Sequence, residues 1–136
     1  MAVFVDSCVL LDLLTEDPQW FPWSAAAFEK AADDGPLVIN TIVYAEISVG
    51  FERIEEVEAA LTVGGFELRP IPREASFLAG KAFLRYRRAG GAKQLPLPDF
   101  FIGAHAAVEN LPLLTRDTRR FRNHFPALRL ISPTRS

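Results

Sequence analysis

The run Ala2-Val3-Phe4-Val5-Asp6 decides the fold class of this chain. Four apolar residues in succession, closed by an acid, are typical of a short parallel strand that is buried on both faces. Residues 7–14 then carry apolar side chains at helical spacing, so the strand passes almost directly into a helix. A strand that leads into a helix is the first half of a β-α-β unit, which joins parallel strands.

The same alternation continues along the chain. We predict further strands at residues 37–39, 66–71, 113–115 and 128–131, and further helices at residues 25–32, 42–50, 53–61, 74–88 and 99–109. Ser24 and Asn40 stand where they can cap the first two of these helices. This order favours an α/β fold with a mainly parallel central sheet and helices on both faces. Because no repeat, low-complexity tract or linker interrupts residues 1–136, we expect a single domain.

Composition narrows the class of protein. Of the 136 residues, 49% are hydrophobic and 24% are charged, values typical of a globular protein and not of a disordered chain. The single cysteine, Cys8, excludes an internal disulfide and a cysteine-based zinc site, and it fits a reducing compartment. No apolar stretch approaches the ~20 residues of a membrane span, and residues 1–6 lack the charged region and cleavage site of a signal peptide. We therefore expect a cytoplasmic protein.

The net charge of −2 hides a strong asymmetry along the chain. Residues 1–80 carry a charge of −10, whereas residues 81–136 carry +8. Such a basic half can steer a polyanion towards the protein. The alternative is that these charges only solvate helical surfaces. The asymmetry becomes informative if acids of the first half meet basic residues of the second.

Four acids stand where predicted strands end or where the following helices begin. Asp6 ends the first strand, and Asp117 lies two residues beyond the strand at 113–115. Glu46 lies on the second turn of the helix that follows the second strand, and Asp99 opens its own helix. Ligands of an open α/β sheet bind outside the carboxyl ends of the strands. If the strands are parallel, all four carboxylates therefore meet at one edge of the sheet.

Each acid also has a structural interpretation. Asp6 and Asp99 are suited to cap the helices that they precede, and Asp117 to close a turn. Glu46 lies in the apolar run Ile42-Val43-Tyr44-Ala45-Glu46-Ile47, where a carboxylate needs a partner or a metal ion. Clustered carboxylates raise one another's pKa unless a cation neutralises them, and all-oxygen ligands favour Mg²⁺ or Mn²⁺.

Phosphodiester chemistry fits both halves of this charge pattern. A hard divalent cation can hold phosphate oxygens, generate a hydroxide nucleophile and stabilise the leaving oxygen. Basic residues near Asp99 and Asp117 can hold the flanking phosphates. The candidates are Arg85, Arg87, Arg88, Lys93, Arg116, Arg119, Arg120 and Arg122. A phosphoryl-accepting signalling domain also places acids at strand ends, but it needs a tighter acidic cluster and a well-placed lysine that we do not find in the sequence.

Four motifs in this order resemble those of the PIN-domain family, and in particular of its compact bacterial toxins, the VapC ribonucleases. They are VDSCVLLDLL at residues 5–14, TIVYAEISVG at 41–50, PDFFIGAHA at 98–106 and LLTRDTRRF at 113–121. The resemblance covers almost the whole chain and implies a PIN-like three-layer α/β/α sandwich. Members of the family often have Asn two residues after the first Asp, where this chain has Cys8.

The resemblance implies an Mg²⁺- or Mn²⁺-dependent endoribonuclease that acts as the toxin of a type II toxin–antitoxin pair. It implies an acidic metal site with two polar neighbours, formed by Asp6, Glu46, Asp99 and Asp117 with Ser7 and Thr115. In such an enzyme a metal-activated water hydrolyses the RNA phosphodiester bond. The implied partners are an RNA substrate, a VapB-type antitoxin and a second copy of the chain, in a homodimer or a larger toxin–antitoxin complex.

Two other functions stay open at the level of sequence. One is a housekeeping RNA-processing nuclease without an antitoxin, and the other is a catalytically silent RNA- or protein-binding module on the same fold. The aromatic run Trp20-Phe21-Pro22-Trp23 is either part of the core or an interaction patch, and the helix at 53–61 is another candidate surface for an inhibitor. We expect His105 to be structural or peripheral and His124 to lie on the surface.

Overall fold

The strands of the protein form one parallel sheet. In the computed structural model, which describes residues 1–90 and 97–133, they are β1 (Val3–Val5), β2 (Leu37–Ile39), β3 (Phe66–Leu68), β4 (Leu113–Leu114) and β5 (Leu130–Ile131). Their order across the sheet is β3-β2-β1-β4-β5, and every neighbouring pair is parallel. The predicted α/β class with a parallel central sheet is confirmed.

Seven helices are found within the described residues. They are α1 (Ser7–Thr15), α2 (Phe21–Asp34), α3 (Thr41–Ser48), α4 (Ile54–Gly64), α5 (Arg73–Arg88), α6 (Leu97–Val108) and α7 (Thr118–His124). The connections from β1 to β2 and β3 run one way along the sheet, and those from β3 to β4 and β5 run back. Since such crossovers are right-handed, α1–α4 and α5–α7 cover opposite faces and give three layers. No described helix is long and apolar enough to cross a membrane.

The central strands are the most deeply buried part of the chain. Phe4 and Val5 of β1 are completely inaccessible to solvent, as are Leu113 and Leu114 of β4. A central strand between two helical layers has no face in contact with water, which explains why residues 2–5 are apolar without alternation. The edge strand β3 is more exposed, with Phe66 half-buried and both Glu67 and Leu68 exposed.

Several predicted boundaries differ from the structure. The helix predicted at 25–32 begins earlier, at Phe21, where Pro22 is favourable in the first turn. Ser24 is therefore an interior residue and not a cap, and its hydroxyl donates to Asp12 Oδ2 at 2.7 Å. Similarly, α6 begins at Leu97, so Asp99 lies within the first turn instead of preceding the helix. The strands predicted at 66–71 and 128–131 are shorter than expected.

Helix α7 was not predicted at all. Its seven residues, Thr118–His124, are mostly charged or polar, and Phe121 is the one member that is fully buried. With so few apolar residues, the segment shows no apolar periodicity that would predict a helix. The helix starts at Asp117, whose side chain accepts a hydrogen bond from Arg120 N at 3.3 Å. Asp117 is therefore a helix cap where we predicted a turn.

The packing of α6 against the end of α7 depends on Gly103. A Cβ at this position would lie 2.5 Å from Cε2 of Phe125, whose ring is buried. We expect Gly103→Ala to lower the free energy of unfolding by ~1–3 kcal/mol, since an overfilled core must shift its rings. Chemical denaturation measures this change.

Gly80→Ala is the matched control, because Gly80 lies within α5 with nothing within 4 Å of its added Cβ. We expect this variant to gain ~0.5–1 kcal/mol from the helix preference of alanine. Equal stability of the two variants would contradict the packing that we describe.

Candidate active site at the carboxyl edge of the sheet

Asp6 forms the centre of the site, directly after β1. It is 3% exposed, and it caps α1 because its Oδ1 accepts a hydrogen bond from Ser7 N at 2.8 Å. Its other oxygen, Oδ2, accepts from the hydroxyl of Thr115 at 2.8 Å. The backbone N–H of Asp6 also donates to Leu114 O at 2.9 Å, which continues the pairing of β1 with β4. The parallel register thus fixes this carboxylate beside the end of β4.

Glu46 reaches the same place from α3. This helix starts at Asn40, whose Oδ1 accepts from the backbone N–H groups of Ile42 and Val43. Glu46 Oε1 accepts from the hydroxyl of Ser7 at 2.7 Å. Ser7 therefore holds two carboxylates at once, Asp6 through its backbone and Glu46 through its side chain.

Asp99 and Asp117 are joined by a single guanidinium. Arg120 Nη1 donates to Asp99 Oδ2 at 3.0 Å, and Arg120 Nη2 lies 3.1 Å from Asp117 Oδ2. Both acids lie at the starts of helices, Asp99 in the first turn of α6 and Asp117 at the cap of α7. Carboxylates are favourable there because they face the positive end of the helix dipole.

Electrostatic coupling joins the two halves of the site. Burial raises the pKa of Asp6, and the charge of Asp99 raises it further, although the hydrogen bonds from Thr115 and Cys8 oppose this. Burial also raises the pKa of Glu46, with the charge of Asp6 adding to it and the hydrogen bond from Ser7 opposing it. The pKa of Asp99 is raised by burial and by Glu46 against the opposing charge of Arg120. The structure thus brings the four predicted acids together.

The side chains of this site are of the chemical type that binds a hard divalent cation. All four groups are carboxylates, two of them buried, and hard cations such as Mg²⁺ take oxygen ligands. Yet within residues 1–90 and 97–133 no three His, Cys, Asp or Glu side chains are grouped closely enough to hold a metal ion as they stand. The guanidinium of Arg120 is the positive charge that lies among them.

Cys8 contributes a weak hydrogen bond to this network. Its Sγ lies 3.3 Å from Asp6 Oδ2 and 3.6 Å from Thr115 Oγ1. Burial raises the pKa of the thiol to about 12, and the charge of Asp6 acts in the same direction. The thiol therefore stays protonated and donates to Asp6, which is a structural role and not that of a nucleophile.

The predicted phosphate-binding residues are placed differently from one another. Arg116 forms a two-pronged pair with the buried Asp12, with Nε 2.8 Å from Oδ2 and Nη2 3.0 Å from Oδ1. Arg120 lies within the acidic site. Arg88 and Arg119 are exposed and able to meet a ligand. Lys93 lies outside the described residues.

The network around His105 has no signal in the sequence. This residue is fully buried, with Nδ1 3.0 Å from Asn40 Nδ2 and Nε2 2.9 Å from Glu109 Oε2. Because Asn40 Oδ1 already caps α3, its amide nitrogen donates to His105 Nδ1, and this assigns the ring proton to Nε2. His105 thereby links α6, which carries Asp99, to the start of α3, which carries Glu46. His105 therefore has a structural role, which is to position α6 relative to α3.

The aromatic run at 20–23 is neither fully core nor a free patch. Trp20 and Trp23 are half-buried and contact each other edge to face at 6.4 Å. Arg116 lies 5.1 Å from the ring centre of Trp20. His124, expected on the surface, is half-buried because its ring packs 5.0 Å from that of Phe100.

Taken together, this fold and site define a parallel α/β protein with an acidic edge suited to a hard divalent cation. The chain belongs to the PIN-domain family, whose model, the PIN domain, matches residues 3–124. It is similar to Ribonuclease VapC10 of Mycobacterium tuberculosis, with 30% identity over 131 residues that cover 96% of this chain and 91% of the relative.

Solved structures show the same fold at lower identity. VapBC2 from Rickettsia felis, bound to a DNA fragment from their promoter, superposes with a TM-score of 0.76 at 20% identity, covering 98% of this chain and 100% of that one. A toxin–antitoxin complex from Klebsiella pneumoniae gives 0.66 at 20% identity, covering 98% and 99%. These likenesses confirm the three-layer architecture.

The raised pKa values predict how stability depends on pH. A carboxyl whose pKa is higher in the folded than in the unfolded state makes folding less favourable as pH rises above the ordinary carboxyl pKa of about 4. In Glu46→Gln the amide oxygen still accepts from Ser7, but the charge is gone. We expect this variant to gain stability relative to the unsubstituted protein as pH rises through the raised pKa of Glu46, measured by urea denaturation in EDTA.

Glu29→Gln, on the exposed side of α2, serves as the control because it removes a carboxylate in contact with water. Parallel pH profiles of stability for Glu46→Gln and the unsubstituted protein would show that folding does not raise the pKa of Glu46.

Proposed function

We propose that the protein is an endoribonuclease that hydrolyses RNA phosphodiester bonds at the acidic edge of its sheet. The observation that carries this proposal is the grouping of Asp6, Glu46, Asp99 and Asp117, which are electrostatically coupled although they come from four separate segments. The similarity to a protein named as a ribonuclease supports the same chemistry.

We propose Mg²⁺ or Mn²⁺ as the cofactor, held by these four carboxylates. When bound, such an ion supplies positive charge for the phosphate and lowers the pKa of water. The chain's own residues prepare the site for it. Ser7 and Thr115 fix the carboxylates of Glu46 and Asp6 at 2.7 and 2.8 Å, so that little ordering is needed on binding.

The substrate is expected to approach along the basic half of the chain. Arg88, at the end of α5, and Arg119, on α7, are exposed and can pair with phosphates of the RNA backbone. Arg119 lines the same cavity as Asp117 and Arg120, so a phosphate contact at Arg119 is next to the acidic site.

We further propose that the enzyme is the toxin of a toxin–antitoxin pair in the cytoplasm, folded as one domain over 1–136 and forming a homodimer. The similarity to a toxin–antitoxin complex in fold supports this biology. An antitoxin needs apolar surface to bind. Such surface is offered by Val49, which directly follows α3 and is 88% exposed, and by Ile54, the first residue of α4, which is 64% exposed. Ile54 lies within the helix that we predicted at 53–61.

Cleavage of RNA by the purified protein, freed of any inhibitor, is the test of this function. We expect discrete fragments from total bacterial RNA with Mg²⁺ or Mn²⁺, and none with EDTA. Asp99→Asn should lower the rate by about 100-fold or more, because it removes a charge that the cation needs. Circular dichroism and thermal unfolding show whether the variant is folded.

Full activity in folded Asp99→Asn would contradict the assignment of this site. Absence of cleavage with either metal, in folded protein without inhibitor, would instead favour the binding module.

Arg119 and Arg116 should respond differently to removal of their charge. We expect Arg119→Ala to weaken RNA binding and to lower the slope of log Kd against log salt by about 0.7, the value for one phosphate contact on a single strand. Arg116→Ala should leave that slope unchanged but lower stability by ~2–3 kcal/mol, because the buried Asp12 loses its positive partner and keeps only the hydrogen bond from Ser24. Fluorescence anisotropy with RNA in EDTA and urea denaturation measure the two effects. A lower salt slope in Arg116→Ala would show that this arginine does reach the substrate.

A further inference from the structure

Arg120 interacts with every carboxylate of the acidic site. It is bonded to Asp99 and Asp117 at 3.0 and 3.1 Å. The charge of Arg120 also lowers the pKa of Glu46, against the effect of burial. Burial lowers the pKa of Arg120 itself, but the negative charge of Asp6 is among the charges that raise it. One guanidinium therefore compensates a cluster of like charges that would otherwise repel one another.

The same guanidinium competes with a divalent cation in two ways. Two of the oxygens available as ligands, Asp99 Oδ2 and Asp117 Oδ2, are already engaged by Arg120. A positive charge a few ångströms away also repels an incoming cation.

We infer that Arg120 is a built-in counter-ion of the acidic site and that it sets the site's affinity for a divalent cation. Its guanidinium must leave Asp99 and Asp117 before their oxygens can bind the ion. This inference rests on the proposed function, since it concerns the same site, and it assigns to Arg120 a role other than phosphate binding.

The structure provides space for this movement. A cavity of about 780 Å³ lies between α5 and α7, with Arg120 and Asp117 in its wall. The side chain of Arg120 is 36% exposed, so it is not enclosed by the core. Arg85 and Arg119 line the same cavity. A displaced guanidinium in this cavity is repelled by the positive charges of Arg85 and Arg119. An RNA phosphate bound there would neutralise this repulsion. We therefore expect substrate binding to favour entry of the divalent cation.

Arg120→Gln tests this inference by removing the charge while the backbone cap of α7, from Arg120 N to Asp117 Oδ1, is kept. Arg119→Gln is the matched control, because it removes the same charge from the neighbouring exposed position. Arg120→Lys keeps the charge but not the two-pronged guanidinium. Isothermal titration of MnCl₂ into metal-free protein, without RNA, measures the affinity directly.

We expect Arg120→Gln to bind Mn²⁺ more tightly than the unsubstituted protein, by about tenfold or more, the scale of a nearby unit charge at a half-exposed site. Arg120→Lys should lie between the two, and Arg119→Gln should match the unsubstituted protein. The midpoint of thermal unfolding gives a second measurement. In EDTA it should fall in Arg120→Gln, and it should rise more on adding Mn²⁺ than in the unsubstituted protein.

Equal or weaker Mn²⁺ binding by folded Arg120→Gln would overturn the inference. If the unsubstituted protein still bound Mn²⁺ and cut RNA, the proposed function would stand without it. If folded protein of neither kind bound Mn²⁺, the proposed metal site would fall together with the inference. Equal tightening in Arg119→Gln would reduce the effect to general charge and would overturn a specific role for Arg120.

Discussion

Buried negative charge at the carboxyl edge of the sheet is the constraint that organises this molecule. A carboxyl group that is 3% exposed, as that of Asp6 is, can carry a negative charge only where donors or positive charge compensate it. Ser7 N supplies one donor from the next residue, but Thr115 Oγ1 comes from 109 residues away. Arg120 supplies the charge from the second half of the chain. The site therefore forms only because the fold brings these distant segments together.

The order of the sheet explains why these parts meet. Connections from β1 lead one way, to β2 and β3, and the chain then returns to the other side of β1 through β4. The point where the direction reverses lies between β1 and β4, and ligands of open α/β sheets bind at such a switch point. Asp6 follows one of these strands, and Thr115 and Asp117 follow the other. Asp6 also caps the start of α1, and Asp117 caps the start of α7.

Features that follow from a local pattern or from the topology of a parallel sheet could be predicted, whereas individual side-chain pairs between distant segments could not. The apolar runs gave β1, β2 and β4, and the acids were found because parallel strands end at one edge. The role of Arg120 was missed because a basic residue beside Asp117 looks the same from sequence whether it faces a phosphate or a carboxylate. Likewise, the bond of His105 to Asn40 spans 65 residues and leaves no local signal.

The basic residues of the second half of the chain have two different roles in the structure. Acids of the first half do meet bases of the second, as the pair of Asp12 with Arg116 shows. Buried pairs of this kind add little net stability compared with apolar packing, because both charges lose their water. Their value lies in geometry: Arg116 stands between Thr115 and Asp117, so its bond to α1 fixes the segment that carries both. Other basic residues of the second half stay exposed and are available to a polyanion, among them Arg88 and Arg119. Part of the positive charge builds the site, and the remainder can serve the substrate.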